Sequence, residues 1–142
     1  MEPILTGENY KVTWYDSEKT IVLAHITKRW NWDEASKVMF KVDEQFVNLD
    51  HDGFAVYLFE RGTNILPEGK STLLKMREHL LTDPEKQRLV IIVNSGSVVE
   101  TVLNMALTAY RLSATKSKYR FVRTMNEALA EIKQYRLTHQ TA

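Results

Sequence analysis

The 142-residue sequence predicts an α/β fold with a five-stranded, mostly parallel sheet and four helices, in the order ββαβαβαβα. Residues 89–93 (LVIIV) lack polar alternation, which is typical of a strand covered on both faces. Beyond residue 28, strand-like runs alternate with helix-like segments, which indicates parallel pairing through right-handed crossovers. A four-residue polar turn joins residues 10–15 to residues 20–27, which predicts an antiparallel N-terminal hairpin.

The hairpin strands are predicted from their β-branched and aromatic residues, YKVTWY at residues 10–15 and TIVLAHIT at residues 20–27. Residues 1–9 are expected to form a loose lead-in. His25 alternates with apolar residues on one face of its strand. A lone histidine in such a place is more often packed or partly exposed than catalytic, and we interpret it so.

The first helix is predicted over residues 32–49, with Asn31 as its N-cap and Glu34 at the third helical position. Its core face is one narrow stripe, formed by Trp32, Ala35, Val38, Met39, Val42, Phe46 and Leu49. Phe40 and Val47 fall outside that stripe, seven residues apart on one flank. Two apolar residues outside the stripe are weak evidence of an interface.

The middle of the chain continues the strand and helix alternation. Residues 50–53 (DHDG) are interpreted as a solvated turn rather than as a metal or acid–base cluster, since no second ligand set stands at a recognised spacing. A continuous apolar strand follows at residues 54–59 (FAVYLF), and a helix is predicted from Pro67 to about residue 82.

The end of the chain predicts a charged edge strand at residues 118–124 and a last helix. Thr124 and Glu127 form a capping box at the start of that helix. Its core stripe consists of Met125, Ala128, Leu129, Ile132 and Tyr135. Residues 137–142 are expected to be loose.

The fold is organised around residues 89–112, which form a buried strand, a turn and a helix whose N-cap is Ser97. On a helical wheel, apolar residues cover about 220° of this helix, whereas docking on one sheet needs a stripe only somewhat wider than ~100°. The excess predicts a partner or ligand on this segment. The predicted binding residues are Asn94, Ser95, Gly96, Ser97, Val98, Val102, Met105 and Ala109. The turn before the helix is also a weak candidate for binding an anion.

The composition of the chain excludes several classes of function. With a net charge of +1 and 26% charged residues, the chain has no global attraction to nucleic acid. The absence of cysteine excludes disulfides, thiol catalysis and thiolate metal sites. No secretory signal and no run of ~20 apolar residues occurs, so a single cytoplasmic domain without membrane insertion is expected. No catalytic or metal-binding motif is found, and no cofactor is predicted.

Three short motifs suggest a family: residues 30–34 (WNWDE), residues 66–69 (LPEG) after the third strand, and residues 120–129 at the end. With the order of the elements, they resemble the SpoIIAA-like fold of STAS domains, and above all small, uncharacterised bacterial STAS-like proteins. CRAL-TRIO lipid-transfer domains share a related fold. The resemblance spans nearly the whole chain and implies the fold more strongly than the function.

The resemblance also implies where a phosphorylation switch would lie. In anti-sigma-factor antagonists, a serine after the third strand is phosphorylated to switch partner binding. The matching positions here are Glu68 and Gly69, where no hydroxyl stands. The resemblance therefore implies an interaction module in which that switch is in doubt.

Two hypotheses follow from the sequence. The first is a non-enzymatic STAS-like module for protein interaction or regulation, which self-associates as a homodimer through an apolar helical face that includes residues of the 89–112 segment. A separate regulatory protein is an open alternative as its partner. The second is a carrier or sensor of a small apolar ligand or lipid, held between the central helix and its neighbours.

Overall fold

The computed structural model describes residues 3–28, 32–60, 84–94 and 118–139. This part of the chain contains the strands β1 (Pro3–Thr6), β2 (Tyr10–Trp14), β3 (Ile21–Ile26), β4 (Gly53–Phe59), β5 (Gln87–Val93) and β6 (Tyr119–Val122). It also contains the helices α1 (Trp32–Val47), between β3 and β4, and α2 (Met125–Thr138), after β6. The α/β class is confirmed.

The strands form one mixed sheet in the order β1-β2-β3-β4-β5-β6. β2 runs antiparallel to both of its neighbours, β1 and β3, and β3 to β6 run parallel to one another. Ile91 in β5 pairs with Val56 on one side and with Arg120 on the other. The predicted antiparallel hairpin and the interior position of the strand at residues 89–93 are therefore confirmed.

The predicted count of five strands is wrong, because Pro3–Thr6 form a sixth strand where the sequence predicts a loose lead-in. Gly7 makes the connection to β2 tight: its N–H donates to the carbonyl of Tyr10 at 3.0 Å. A Cβ at position 7 would lie 2.5 Å from the Tyr10 ring, so a side chain there would prevent this approach. Ile4 and Leu5 pack against the core, which gives this short edge strand its apolar contact.

Each face of the sheet is covered by one of the described helices. On the first face, Val38, Val42 and Phe46 of α1 share a core cluster with Val22 and Ala55 of the sheet. These three α1 side chains are almost completely buried. The predicted α1 stripe is therefore confirmed at these positions, although the helix ends at Val47 rather than at residue 49.

On the second face, Ala128 and Ile132 of α2 pack against Phe54, Val56 and Ile91. The predicted capping box is present: the Glu127 N–H donates to the Thr124 hydroxyl at 3.1 Å, and the Glu127 carboxylate accepts from the Thr124 N–H at 3.1 Å. The helix continues to Thr138, two residues beyond its expected end.

The helices predicted from residue 67 to about 82 and over residues 97–112 lie outside the described residues. The structure therefore describes two of the four predicted helices.

Candidate functional site

The carboxyl ends of β3, β4, β5 and β6 meet at one edge of the sheet, where open parallel sheets usually bind ligands. Asn94 lies directly after β5 in the left-handed region, with a φ of 62°. Its side-chain Nδ2 donates to the Phe59 carbonyl at 3.0 Å, and its backbone N–H donates to the Val122 carbonyl at 2.9 Å. Asn94 therefore holds the ends of β4, β5 and β6 together.

Asn94 is the one residue of the predicted binding segment that the structure describes. The other predicted binding residues, Ser95, Gly96, Ser97, Val98, Val102, Met105 and Ala109, lie outside the described residues, and their role stays a prediction. The same holds for the proposed switch positions Glu68 and Gly69. A pocket for a small apolar ligand beneath the predicted central helix would also be formed by residues outside the described part.

A histidine–carboxylate pair lies at the same edge. His25 Nε2 is 2.6 Å from Glu60 Oε1, and the two side chains are 34% and 50% exposed. His25 makes no other hydrogen bond within the described residues. The partly exposed state of His25 agrees with the interpretation from the sequence. No serine or threonine hydroxyl among the described residues is hydrogen-bonded to His25, so the pair has no nucleophile to activate there.

The outer face of α1 carries two exposed apolar side chains, Phe40 at 66% and Val47 at 70%. Lys37 and Glu44 are exposed beside them. The four residues are spaced by three, four and three positions, which places them along one stripe of the helix. We call Lys37, Phe40, Glu44 and Val47 the α1 outer stripe.

A groove of about 470 Å³ adjoins this stripe, between the C-terminal half of α1 and the segment before β5. Its lining combines apolar side chains with acidic ones: Phe40, Phe46, Val47, Leu49 and Pro84 with Asp43, Glu44 and Glu85, and also Lys86. The groove therefore continues the apolar surface of the stripe and adds negative charge to its C-terminal half.

Below the groove, Asp43 belongs to a buried polar network. Gln87, which is 4% exposed, donates from Nε2 to Asp43 Oδ1 at 2.9 Å and accepts at Oε1 from the Lys118 ammonium at 3.0 Å. Burial, and then the charge of Asp43, raise the pKa of Tyr57 well above its ordinary range. The network fixes the C-terminal half of α1 against the sheet at β4, β5 and the start of β6.

A second cavity, of about 450 Å³, lies at the opposite end of the parallel strands, beside the C-terminus of α2. We call it the histidine cavity. Its lining residues come from the starts of β3 and β4 and from the last turns of α2: Thr20, His51, Asp52, Phe54, Lys133, Tyr135, Arg136, Leu137 and His139.

One wall of the histidine cavity is fixed by the turn before β3. Asp16 Oδ1 accepts the backbone N–H groups of Thr20 at 2.9 Å and Ile21 at 3.0 Å, and Oδ2 accepts the Thr20 hydroxyl. Burial alone would raise the pKa of Asp16, but these hydrogen bonds outweigh it and lower the pKa. The Thr20 oxygen also accepts from Arg136 at 2.8 Å, which ties α2 to this turn.

The solvated turn predicted at residues 50–53 also forms one part of the wall of this cavity. His51 and Asp52 are partly exposed, as expected, but they line the concavity together with residues from α2. Sequence reasoning missed this because the contacts join positions about 85 residues apart and because the end of α2 was expected to be loose. The available signal was the cluster of Lys133, Arg136 and His139 within two helical turns.

Comparison of the chain with protein-family models, with curated proteins and with solved structures gives no significant match. The resemblance to STAS-like proteins therefore stays a prediction. Across the described ranges, no helix is long and apolar enough to cross a membrane. Nor do His, Asp or Glu side chains there form a group of three suited to a metal ion.

Proposed function

We propose that this chain is a non-enzymatic interaction module, of the kind that the STAS-like resemblance implies, and that it forms a homodimer through the α1 outer stripe. The observation that carries the proposal is the exposure of Phe40 and Val47 on one flank of a helix whose core face is already buried. The adjoining groove, which Leu49 and Pro84 also line, extends this apolar surface, and an extended apolar surface often marks an interaction site.

The packing of α1 does not require these two side chains. At ~100° per residue, Phe40 lies roughly 150° around the helix from the centre of the buried stripe. Val38, Val42 and Phe46 already fill the contact with the sheet. An apolar residue on the far side of the helix gains nothing from that core, and covering a Phe or Val side chain would contribute about 1.5–3 kcal/mol.

The charges of α1 favour a second copy of the same chain as the occupant. Lys37 lies in the N-terminal half of α1, and Glu44 lies in its C-terminal half, where Lys41 Nζ is 3.6 Å from Glu44 Oε1. In a two-fold symmetric contact whose axis is perpendicular to the helix, α1 meets its copy in the antiparallel direction. Lys37 of each α1 then faces Glu44 of the other, and Phe40 and Val47 are covered between them.

The predicted helix at residues 97–112 would add a second apolar face to this module. It lies outside the described residues, so its part in the dimer rests on the sequence pattern alone. The dimer proposed here requires only α1.

The test is sedimentation equilibrium of the wild type, of Phe40→Glu and of the matched control Leu137→Glu. Leu137 is also an exposed apolar residue (59%), but it lies on α2. We expect a wild-type dimer at micromolar concentration, weakened at least about tenfold by Phe40→Glu, because a buried unpaired charge costs more than ~1.4 kcal/mol. Leu137→Glu should leave the dimer unchanged.

Two results would contradict the proposal. One is a wild type that stays monomeric into the high micromolar range. The other is an equal loss of association in Phe40→Glu and Leu137→Glu, since that would show a general effect of added negative charge.

A further inference from the structure

The histidine cavity lies on the opposite sheet face from α1, so any role it has is separate from the proposed dimer. From its lining we propose that it binds a small organic anion, with one phosphate or carboxylate group carried on a flat apolar body.

The cavity gathers basic side chains from two separate elements. Lys133, Arg136 and His139 come from the end of α2, whereas His51 comes from the turn before β4. The acidic residue in the lining is Asp52, and its Oδ1 already accepts from Arg88 Nε at 2.8 Å. Because Asp52 is already paired, Lys133 and Arg136 give the lining a local excess of positive charge.

Both cations of the lining can engage a ligand. Within the described residues, Lys133 has no acidic partner. The guanidinium of Arg136 is held by the Thr20 hydroxyl oxygen at 2.8 Å and lies over the Phe54 ring at 5.2 Å. A guanidinium has five N–H donors, so one bond to Thr20 fixes its position and leaves donors for an anion.

Aromatic rings supply a surface for the apolar body. The Tyr135 and His139 rings stack at 3.8 Å with an interplanar angle of 13°, and Phe54 meets Tyr135 edge to face at 5.5 Å. The volume of about 450 Å³ is in the range of small-molecule sites. Basic groups beside aromatic faces suit a planar ring that bears an anionic group.

The helix macrodipole explains these basic residues only in part. A basic side chain near a helix C-terminus is stabilised by the unpaired carbonyls, and this effect is confined to the last turn. Arg136, however, donates to Thr20, Lys133 lies a turn earlier, and His51 belongs to no helix. Their convergence on one concavity needs a further reason, which an anionic ligand supplies.

The first test is an NMR titration of the full chain with phenyl phosphate and, separately, with benzoate. The imidazole signals of His51 and His139 should shift saturably, whereas the signal of His25 should not, because His25 lies at the carboxyl end of β3. The probe that binds more tightly identifies the anionic group. Failure of both probes to saturate, or an equal shift of the His25 signal, would overturn the proposal.

The second test compares the dissociation constants of Lys133→Gln and Arg136→Gln with that of Lys28→Gln, an exposed lysine far from the cavity that gives the same loss of charge. We expect at least about tenfold weaker binding in the cavity variants, as for a lost hydrogen bond to a charged group, and no change in the control. Lys133 is exposed and can be replaced without loss of folding even if Arg136→Gln destabilises α2. Equal weakening in Lys28→Gln would reduce the interaction to non-specific attraction and overturn the site.

Discussion

The two described helices cover opposite faces of the same sheet, but their outer surfaces differ. The outer surface of α2 is polar over most of its length, with Glu127, Lys133 and Gln134 exposed, and its large exposed apolar side chain is Leu137 (59%) in the last turn. The outer surface of α1 leaves two large apolar side chains, Phe40 and Val47, largely exposed. Both helices bury an apolar stripe on the sheet, so the difference does not arise from packing. It indicates that the outer surface of α1 is suited to contact another molecule, whereas the outer surface of α2 is suited mainly to contact with water.

The largest expected effect is a difference in stability between substitutions on the buried face and on the exposed face of α1. Phe46→Ala removes a ring that is 1% exposed and should lower the free energy of unfolding by about 3–5 kcal/mol. Phe40→Ala should change it by less than about 0.5 kcal/mol, because the ring has little contact within the monomer. Urea denaturation at low protein concentration measures both.

A large loss of unfolding free energy in Phe40→Ala at low protein concentration would contradict the difference between the two faces of α1, because the Phe40 side chain would then belong to the core of the monomer. Phe54→Ala is a useful reference on the α2 face, since Phe54 is also buried and packs against α2.

A smaller effect sharpens the comparison by testing the charges of α1. Lys37→Glu and Glu44→Lys should each weaken dimerisation several-fold, within the ~0.2–1 kcal/mol typical of exposed ion pairs, and the effect should decrease at high salt. The double variant should regain the lost affinity, because the reversed charges again face each other in an antiparallel contact. Sedimentation or light scattering at low ionic strength provides the affinities.

Recovery in the double variant is the informative result. A double variant as weak as the sum of the two single ones would mean that these side chains do not meet across the interface. Because Lys41 Nζ lies 3.6 Å from Glu44 Oε1 within the same helix, Lys41→Gln serves as the control for loss of that internal pair.

The parts of the fold that follow local patterns were predictable from the sequence. The apolar stripe of α1 and the capping box at Thr124 depend on residues three or four positions apart, and both are confirmed. The interior strand followed from the unbroken apolar run now found in β5.

The features that depend on distant contacts were not predictable. The four-residue strand at Pro3–Thr6 is placed by its pairing with β2 and by the packing of Ile4 and Leu5 against the core. The side-chain amide of Asn94 reaches the end of a strand 35 residues earlier. The histidine cavity needs the last turns of α2 beside the turn at His51, and no local pattern encodes that approach.

The central claim is that two copies of α1 meet through the outer stripe. Because the chain contains no cysteine, a single one can be introduced at will. Glu44→Cys places a thiol on the stripe, and Lys133→Cys places a matched exposed thiol on α2. Treated with a short bis-maleimide at micromolar concentration, Glu44→Cys should give a covalent dimer and Lys133→Cys should stay monomeric. Equal yields from the two variants, or no dimer from Glu44→Cys, would contradict the account.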